Sequence, residues 1–180
     1  MLTGPEPDFT VSIPLDGAVP ATRYRYHVLV GRAGDSVAPV EATLAAQGEF
    51  TTLPDAQSSA PLLFAWSGDL GGQQRCRQGT GGYPIFDLLR KQNLDFFLFL
   101  GDTIYSDDTC PSPPNEPGAD FKASTLTEYR ARHRYQRGAE SLRRFLETVP
   151  VYVIWDDHEV RNNFAGRFDA QMPAGRQALR

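Results

Sequence analysis

Three apolar runs in the chain each lead to an aspartate. Pro61-Leu62-Leu63-Phe64-Ala65-Trp66 precedes Gly68-Asp69, Leu94-Asp95-Phe96-Phe97-Leu98-Phe99-Leu100 precedes Gly101-Asp102, and Val149-Pro150-Val151-Tyr152-Val153-Ile154 precedes Trp155-Asp156-Asp157-His158-Glu159. Continuous hydrophobicity over such short stretches, bounded by Gly and Pro, is the pattern of buried strands. The spacing predicts a strand at 62–67, a helix near 83–92, a strand at 95–100, one or two helices across 125–147 and a strand at 151–155. Strand and helix in alternation imply an α/β fold with a parallel sheet and right-handed crossovers. In such a sheet the three aspartates gather at the carboxyl edge, where α/β proteins place their chemistry.

Local signals fill in the connections. Ile85, Phe86 and Leu89 supply one apolar helix face, and Thr125 with Glu128 has the capping-box spacing of a helix start. Leu142, Phe145 and Leu146 pack a last helix that Pro150 terminates. The stretch 107–118 carries four prolines and is read as a long loop beside Asp102, the usual place for a lid or a substrate wall. Gly68, Gly71, Gly72, Gly79, Gly81 and Gly82 make the loop after the first strand flexible, read as a wide turn in preference to a set of backbone N–H contacts to a substrate, and Gly-Lys-Ser/Thr of a phosphate-binding loop is absent. Cys76 and Cys110 leave open a bridge, a ligand role or two free thiols.

Residues 9–53 follow a different period. Phe9-Thr10-Val11-Ser12-Ile13, Thr22-Arg23-Tyr24-Arg25-Tyr26-His27-Val28-Leu29-Val30 and Gly48-Glu49-Phe50-Thr51-Thr52-Leu53 alternate at period two, as strands with one wet face do. Pro20-Ala21-Thr22-Arg23-Tyr24 resembles the tyrosine corner of fibronectin type III sandwiches. Only three or four strands fit here against the ~7 of a complete sandwich. Residues 1–54 are therefore expected to be a partial fibronectin type III-like β domain, 55–61 a polar linker, and 62–180 a second domain.

Carboxylates brought to one sheet edge repel one another unless a cation neutralises them, and oxygen ligands select hard cations such as Ca²⁺, Mg²⁺, Mn²⁺ or Fe³⁺. One isolated Asp at a strand end ordinarily caps a turn. Asp69, Asp102 and Asp157 recurring after three successive strands, with His158 beside the third, point instead to a metal site. His158 could orient a phosphate or protonate a leaving oxygen. Tyr105, three residues past Asp102, is either a packing aromatic or a phenolate ligand for Fe³⁺. His27 and His133 are read as structural or exposed, and Arg130, Arg132, Arg134, Arg137, Arg143 and Arg144 as a solvated face rather than a phosphate-facing one. A net charge of −4 offers no general attraction for nucleic acid or anionic membranes, and no apolar segment approaches the ~20 residues of a membrane span.

Phe64-Ala65-Trp66-Ser67-Gly68-Asp69, Gly101-Asp102-Thr103-Ile104-Tyr105 and Trp155-Asp156-Asp157-His158-Glu159-Val160-Arg161-Asn162-Asn163 resemble, in order and context, the motifs of PhoD-like alkaline phosphatases, a branch of the calcineurin-like metallophosphoesterases. The resemblance covers about residues 62–165. It implies the first half of a metallophosphoesterase α/β sandwich behind a fibronectin-like domain, and a metal-bound hydroxide that attacks a phosphate mono- or diester. Asp102 would bridge the metals, Tyr105 would ligate iron, Asp157 would bind the second metal and His158 would assist at the phosphate. Ca²⁺ and Fe³⁺ are the implied cofactors, a small phosphate ester the implied substrate, and the periplasm or the extracellular space the implied location.

Two departures stand out. Asp69 occupies a position where Cys often ligates iron, and Asp69-Leu70-Gly71 replaces the Asp-x-His of the wider superfamily. The family's further motifs lie downstream, whereas residues 166–180 contain Asp169 and no His, so the chain is expected to be the middle of a longer protein. The rival expectation is a non-catalytic cation-binding module with an incomplete site and an adhesive β domain.

Overall fold

The two sequence periods sort into two compact units, Met1–Pro61 and Leu62–Arg180. The computed structural model describes residues 3–31, 42–79 and 81–179. In the first unit, β1 (Arg23–Gly31) and β2 (Ala42–Thr51) pair antiparallel. Tyr24 faces Phe50 across the ladder and stacks on it with centroids 5.7 Å apart, the aromatic cross-strand pairing that stabilises such ribbons. Its hydroxyl accepts a hydrogen bond from the Val19 amide at 2.7 Å, the geometry the tyrosine-corner pattern anticipates. The strand expected at Phe9–Ile13 does not form. Asp8 and Phe9 lie at φ 55° and 58°, and no ladder partner is present among the described residues. The part of the expected β domain at 32–41 lies outside them.

In the second unit, β3 (Phe64–Ser67), β4 (Phe96–Leu100) and β5 (Val151–Ile154) form a parallel sheet in the order β3-β4-β5. The connections carry α1 (Ile85–Leu89), extended by a 3₁₀ turn at Arg90–Gln92, then α2 (Leu126–Arg137) and α3 (Glu140–Leu146). Phe97 and Phe99 of β4 pack against Phe86, Leu142 and Phe145 of α1 and α3, and these five side chains are nearly inaccessible. Ile85, expected on that face of α1, is instead 52% exposed. Five residues make little more than one turn, too short for a full apolar stripe.

The opposite face of the sheet departs from expectation more broadly. Phe64, Trp66, Tyr152 and Ile154 are exposed, Trp66 by 65%. Register brings Phe64 beside Phe96 and Leu98 beside Tyr152, so these side chains form one continuous apolar surface. Apolar runs without alternation belong to strands covered on both sides. Among the described residues, helices cover only the Phe97 and Phe99 side.

Helix α2 begins as its sequence demands. The Thr125 hydroxyl accepts from the Glu128 amide while the Glu128 carboxylate takes the Thr125 amide, closing the capping box. Arg132 corrects the view of the arginine run as a solvated face. It is 2% exposed, and its guanidinium donates to the carbonyls of Tyr105 and Ala119. Position 132 is three residues from Tyr129 and from Tyr135, on the helix face that turns inward. A further helix unforeseen in the sequence, α4 (Met172–Leu179), packs against α2, with Ala174 and Ala178 on the Ile104, Ala123 and Tyr129 cluster.

His133 is buried on α2, and burial pushes its pKa down to about 3, with the charge of Arg137 acting in the same direction. Its folded value lies below the ordinary 6.5, so the unfolded chain binds the extra proton between those limits. Stability therefore holds above pH 6.5 and falls as pH drops toward 3, by up to about 5 kcal/mol. Denaturant titrations at pH 7 and pH 4 should resolve this loss, and His133→Met should flatten it.

Candidate metal centre

Each site residue leaves the carboxyl end of a strand. After β4 the chain turns through Gly101 at φ 98° and Asp102 at φ 53°, and after β3 through Asp69 at φ 59°. Aspartate tolerates this left-handed region better than most residues. The two turns are stitched together, since the Asp69 amide donates to the Gly101 carbonyl at 3.2 Å and the Leu70 amide to the Asp102 carbonyl at 2.8 Å.

Asp102, Asp157 and His158 converge. Each offers a ligand atom, and these atoms lie within 4.8 Å of one another. Among the described residues neither carboxylate pairs with a lysine or arginine. The Asp102 carboxyl is held up at about 6, first by burial; the His158 amide it accepts works against this, and the charges of Glu159 and Asp156 add to it. Two close carboxylates and an imidazole, with negative charge left over, make a hard donor set suited to a cation. The residues present therefore fit a metal.

Asp69 lies outside that group and reaches it through Tyr105. The Tyr105 hydroxyl donates to Asp69 at 2.5 Å, and its ring stacks on His158 with centroids 4.2 Å apart. Burial, then the Asp69 bond and the neighbouring carboxylates, raise the phenol pKa well above its ordinary value. A cation replacing the shared proton would find two oxygens already facing each other. Gly72 makes room for the ring, because a Cβ there would lie 2.2 Å from it. The glycine-rich loop thus approaches Tyr105 closely.

Asp107 was not singled out in the sequence. Its carboxylate meets His158 Nδ1 at 2.6 Å and accepts the Asn162 amide at 2.9 Å. Burial alone would lower the His158 pKa, but the Asp107 bond and the charges of Asp107, Asp102 and Asp157 outweigh it and raise it. With Nδ1 committed to Asp107, Nε2 faces Asp157 at 3.9 Å. A carboxylate on the remote nitrogen is the arrangement that fixes the tautomer of a working histidine. Only the proximity of Asp107 to Asp102 hinted at this partner.

Cys76 and Cys110 form a disulfide with a Cα separation of 5.9 Å, joining the loop after β3 to the loop after β4. Asn115 fastens the same junction, its side chain bonding the Cys76 amide and the Gln74 and Pro111 carbonyls. In the chain-entropy picture a crosslink across 34 positions stabilises by roughly 3–4 kcal/mol. Replacing both cysteines by serine should lower the denaturant midpoint accordingly.

Residues 64–179 match the family described as PhoD-like phosphatase. Alkaline phosphatase D of Bacillus subtilis (strain 168) is 30% identical over 169 residues, which make up 88% of this chain and 25% of that protein. A solved structure of PhoD superimposes with a TM-score of 0.74 at 26% identity, covering 97% of this chain and 33% of its own. The chain thus spans a quarter to a third of these relatives. With the mixed α/β fold and the match across most of the second unit, the chain belongs to the PhoD-like phosphatase family.

Proposed function

We propose that this chain carries the metal-binding edge of a metal-dependent phosphoric ester hydrolase acting on small phosphate mono- or diesters. The observation that supports it best is the convergence of Asp102, Asp157 and His158 at the ends of β4 and β5. Ca²⁺ and Fe³⁺ are the proposed cations; when bound they supply Lewis acidity, offsetting charge on phosphoryl oxygens and lowering the pKa of water. Asp102 would be shared between cations, Asp157 would hold one, and Tyr105 with Asp69 would hold iron. The Asp107 bond keeps His158 Nδ1 protonated and leaves Nε2 to carry a proton toward a phosphoryl or leaving oxygen. The tethered loops after β3 and β4 form a wall beside this edge.

The reading extends to location. A disulfide persists in oxidising compartments, which supports a periplasmic or extracellular enzyme. Among the described residues no helix is long and apolar enough to cross a membrane.

The test compares this chain with a version extended by downstream sequence to the length of the relatives. Both are assayed for release of p-nitrophenol from its phosphate esters, with Ca²⁺ and Fe³⁺ supplied and with chelator as control. The longer protein should hydrolyse the esters and lose activity with chelator, and this chain should do so at most weakly. Inactivity of both despite bound metal would favour a cation-binding module instead.

A further inference from the structure

The geometry points to Glu159 as a positioning residue that locks the turns after β4 and β5 together, so that Asp102 and Asp157-His158 face one another. Its side chain is wholly buried at 0% exposure, and it takes part in no ion pair with lysine or arginine among the described residues. Its four partners are all hydrogen-bond donors. One carboxylate oxygen accepts the amides of Asp102 at 3.0 Å and Asp156 at 2.8 Å; the other accepts the Thr103 amide at 2.6 Å and the Thr103 hydroxyl at 2.8 Å.

A buried carboxylate is costly unless its lone pairs are filled, and four donors fill them. Those donors come from both sides of the site, two turns that no strand ladder joins beyond Leu100 and Ile154. The clamp has supports. Ser106 donates its amide to the His158 carbonyl at 3.0 Å and its hydroxyl to the His158 and Val160 carbonyls at 2.7 and 2.8 Å. Helix α4 closes over the segment at Gly175, where a Cβ would lie 2.9 Å from the Glu159 carbonyl. With its oxygens committed, Glu159 is no ligand itself, in contrast to Asp157 two residues earlier.

Glutamine cannot replace it. Its amide nitrogen would point donors at the backbone N–H groups on one side of the clamp or the other, leaving either the Thr103 amide or the Asp102 and Asp156 amides without an acceptor. The consequence for metal rests on the function proposed above; the clamp does not. Hydrogen exchange on the metal-free 180-residue chain reads the clamp directly. In Glu159→Gln either the Thr103 amide or the Asp102 and Asp156 amides should lose protection at least tenfold while those of Phe97 and Phe99 keep theirs. Unchanged protection of the three amides overturns the proposal.

Titration with Mn²⁺, followed by its EPR signal, reads the consequence. Glu159→Gln should weaken binding by about 10–100-fold, the usual effect of losing a group that orients ligands. A folded Glu159→Gln chain that binds Mn²⁺ as tightly as wild type overturns the positioning role. Thr103→Val removes one of the four bonds and leaves the amides paired; it should weaken Mn²⁺ binding severalfold, and it decides the matter should the glutamine variant not fold. Wild-type chain that binds no Mn²⁺ counts against the phosphatase reading, and exchange alone then judges the clamp.

Discussion

Asp102→Ala should abolish phosphatase activity and metal content together, with turnover of the extended protein below roughly a thousandth of wild type. Asp102 is the buried member of the converging group and the one proposed to be shared between cations. Alanine at φ 53° adds backbone strain, and it also removes the acceptor of the His158 amide. Asp102→Asn separates these effects. Asparagine tolerates the same backbone region and can still accept from His158, but it carries no charge. In the metal-free state Asp102→Asn should melt no lower than wild type, since one of several crowded carboxylates is gone. Added metal should then raise the melting temperature of wild type and not of the variant. Full activity and full metal loading in Asp102→Ala would sink the assignment.

Gly101→Ala should be the most destabilising single change near the site. The position lies at φ 98°, and a Cβ there would fall 2.5 Å from the Asp156 Cβ and 2.6 Å from its backbone nitrogen. Strain and overlap with main chain together should cost about 3–5 kcal/mol and lower the melting temperature by roughly 10–20 °C. Gly79→Ala is the control, because φ is 66° there and nothing lies within 4 Å of the added carbon. It should cost only the conformational part, about 1–2 kcal/mol. Equal melting temperatures for the two variants would show that the turns after β4 and β5 do not depend on this close approach.

What was legible in the sequence follows from how local each signal is. Strand runs at 62–67, 95–100 and 151–155 are clear because apolar residues follow one another there almost without a break, and the Asp102 and Asp157 positions follow from the strand ends. Thr125 and Glu128 were equally clear, since a capping box is written within four residues. Asp107 was hidden in a proline-rich loop without a period, so its bond to His158, across 51 positions, had no local mark. Arg132 carries a charge that argues for solvent, while its place between Tyr129 and Tyr135 puts it on the inward face of α2. Helix α4 lacked a cap or a clear stripe, and its contact with the motif runs through Gly175, a residue with no side chain to give a signal.

The uncovered side of the sheet also provides an instrument. Trp66 stands on the edge strand β3 of that side and is one of only two tryptophans in the chain. A layer that comes to lie over Phe64 and Trp66 on β3 takes that indole out of water, and its emission shifts to the blue. The protein thus reports optically on any cover of that edge, from a point on the sheet where no change in the metal ligands is needed to produce the signal.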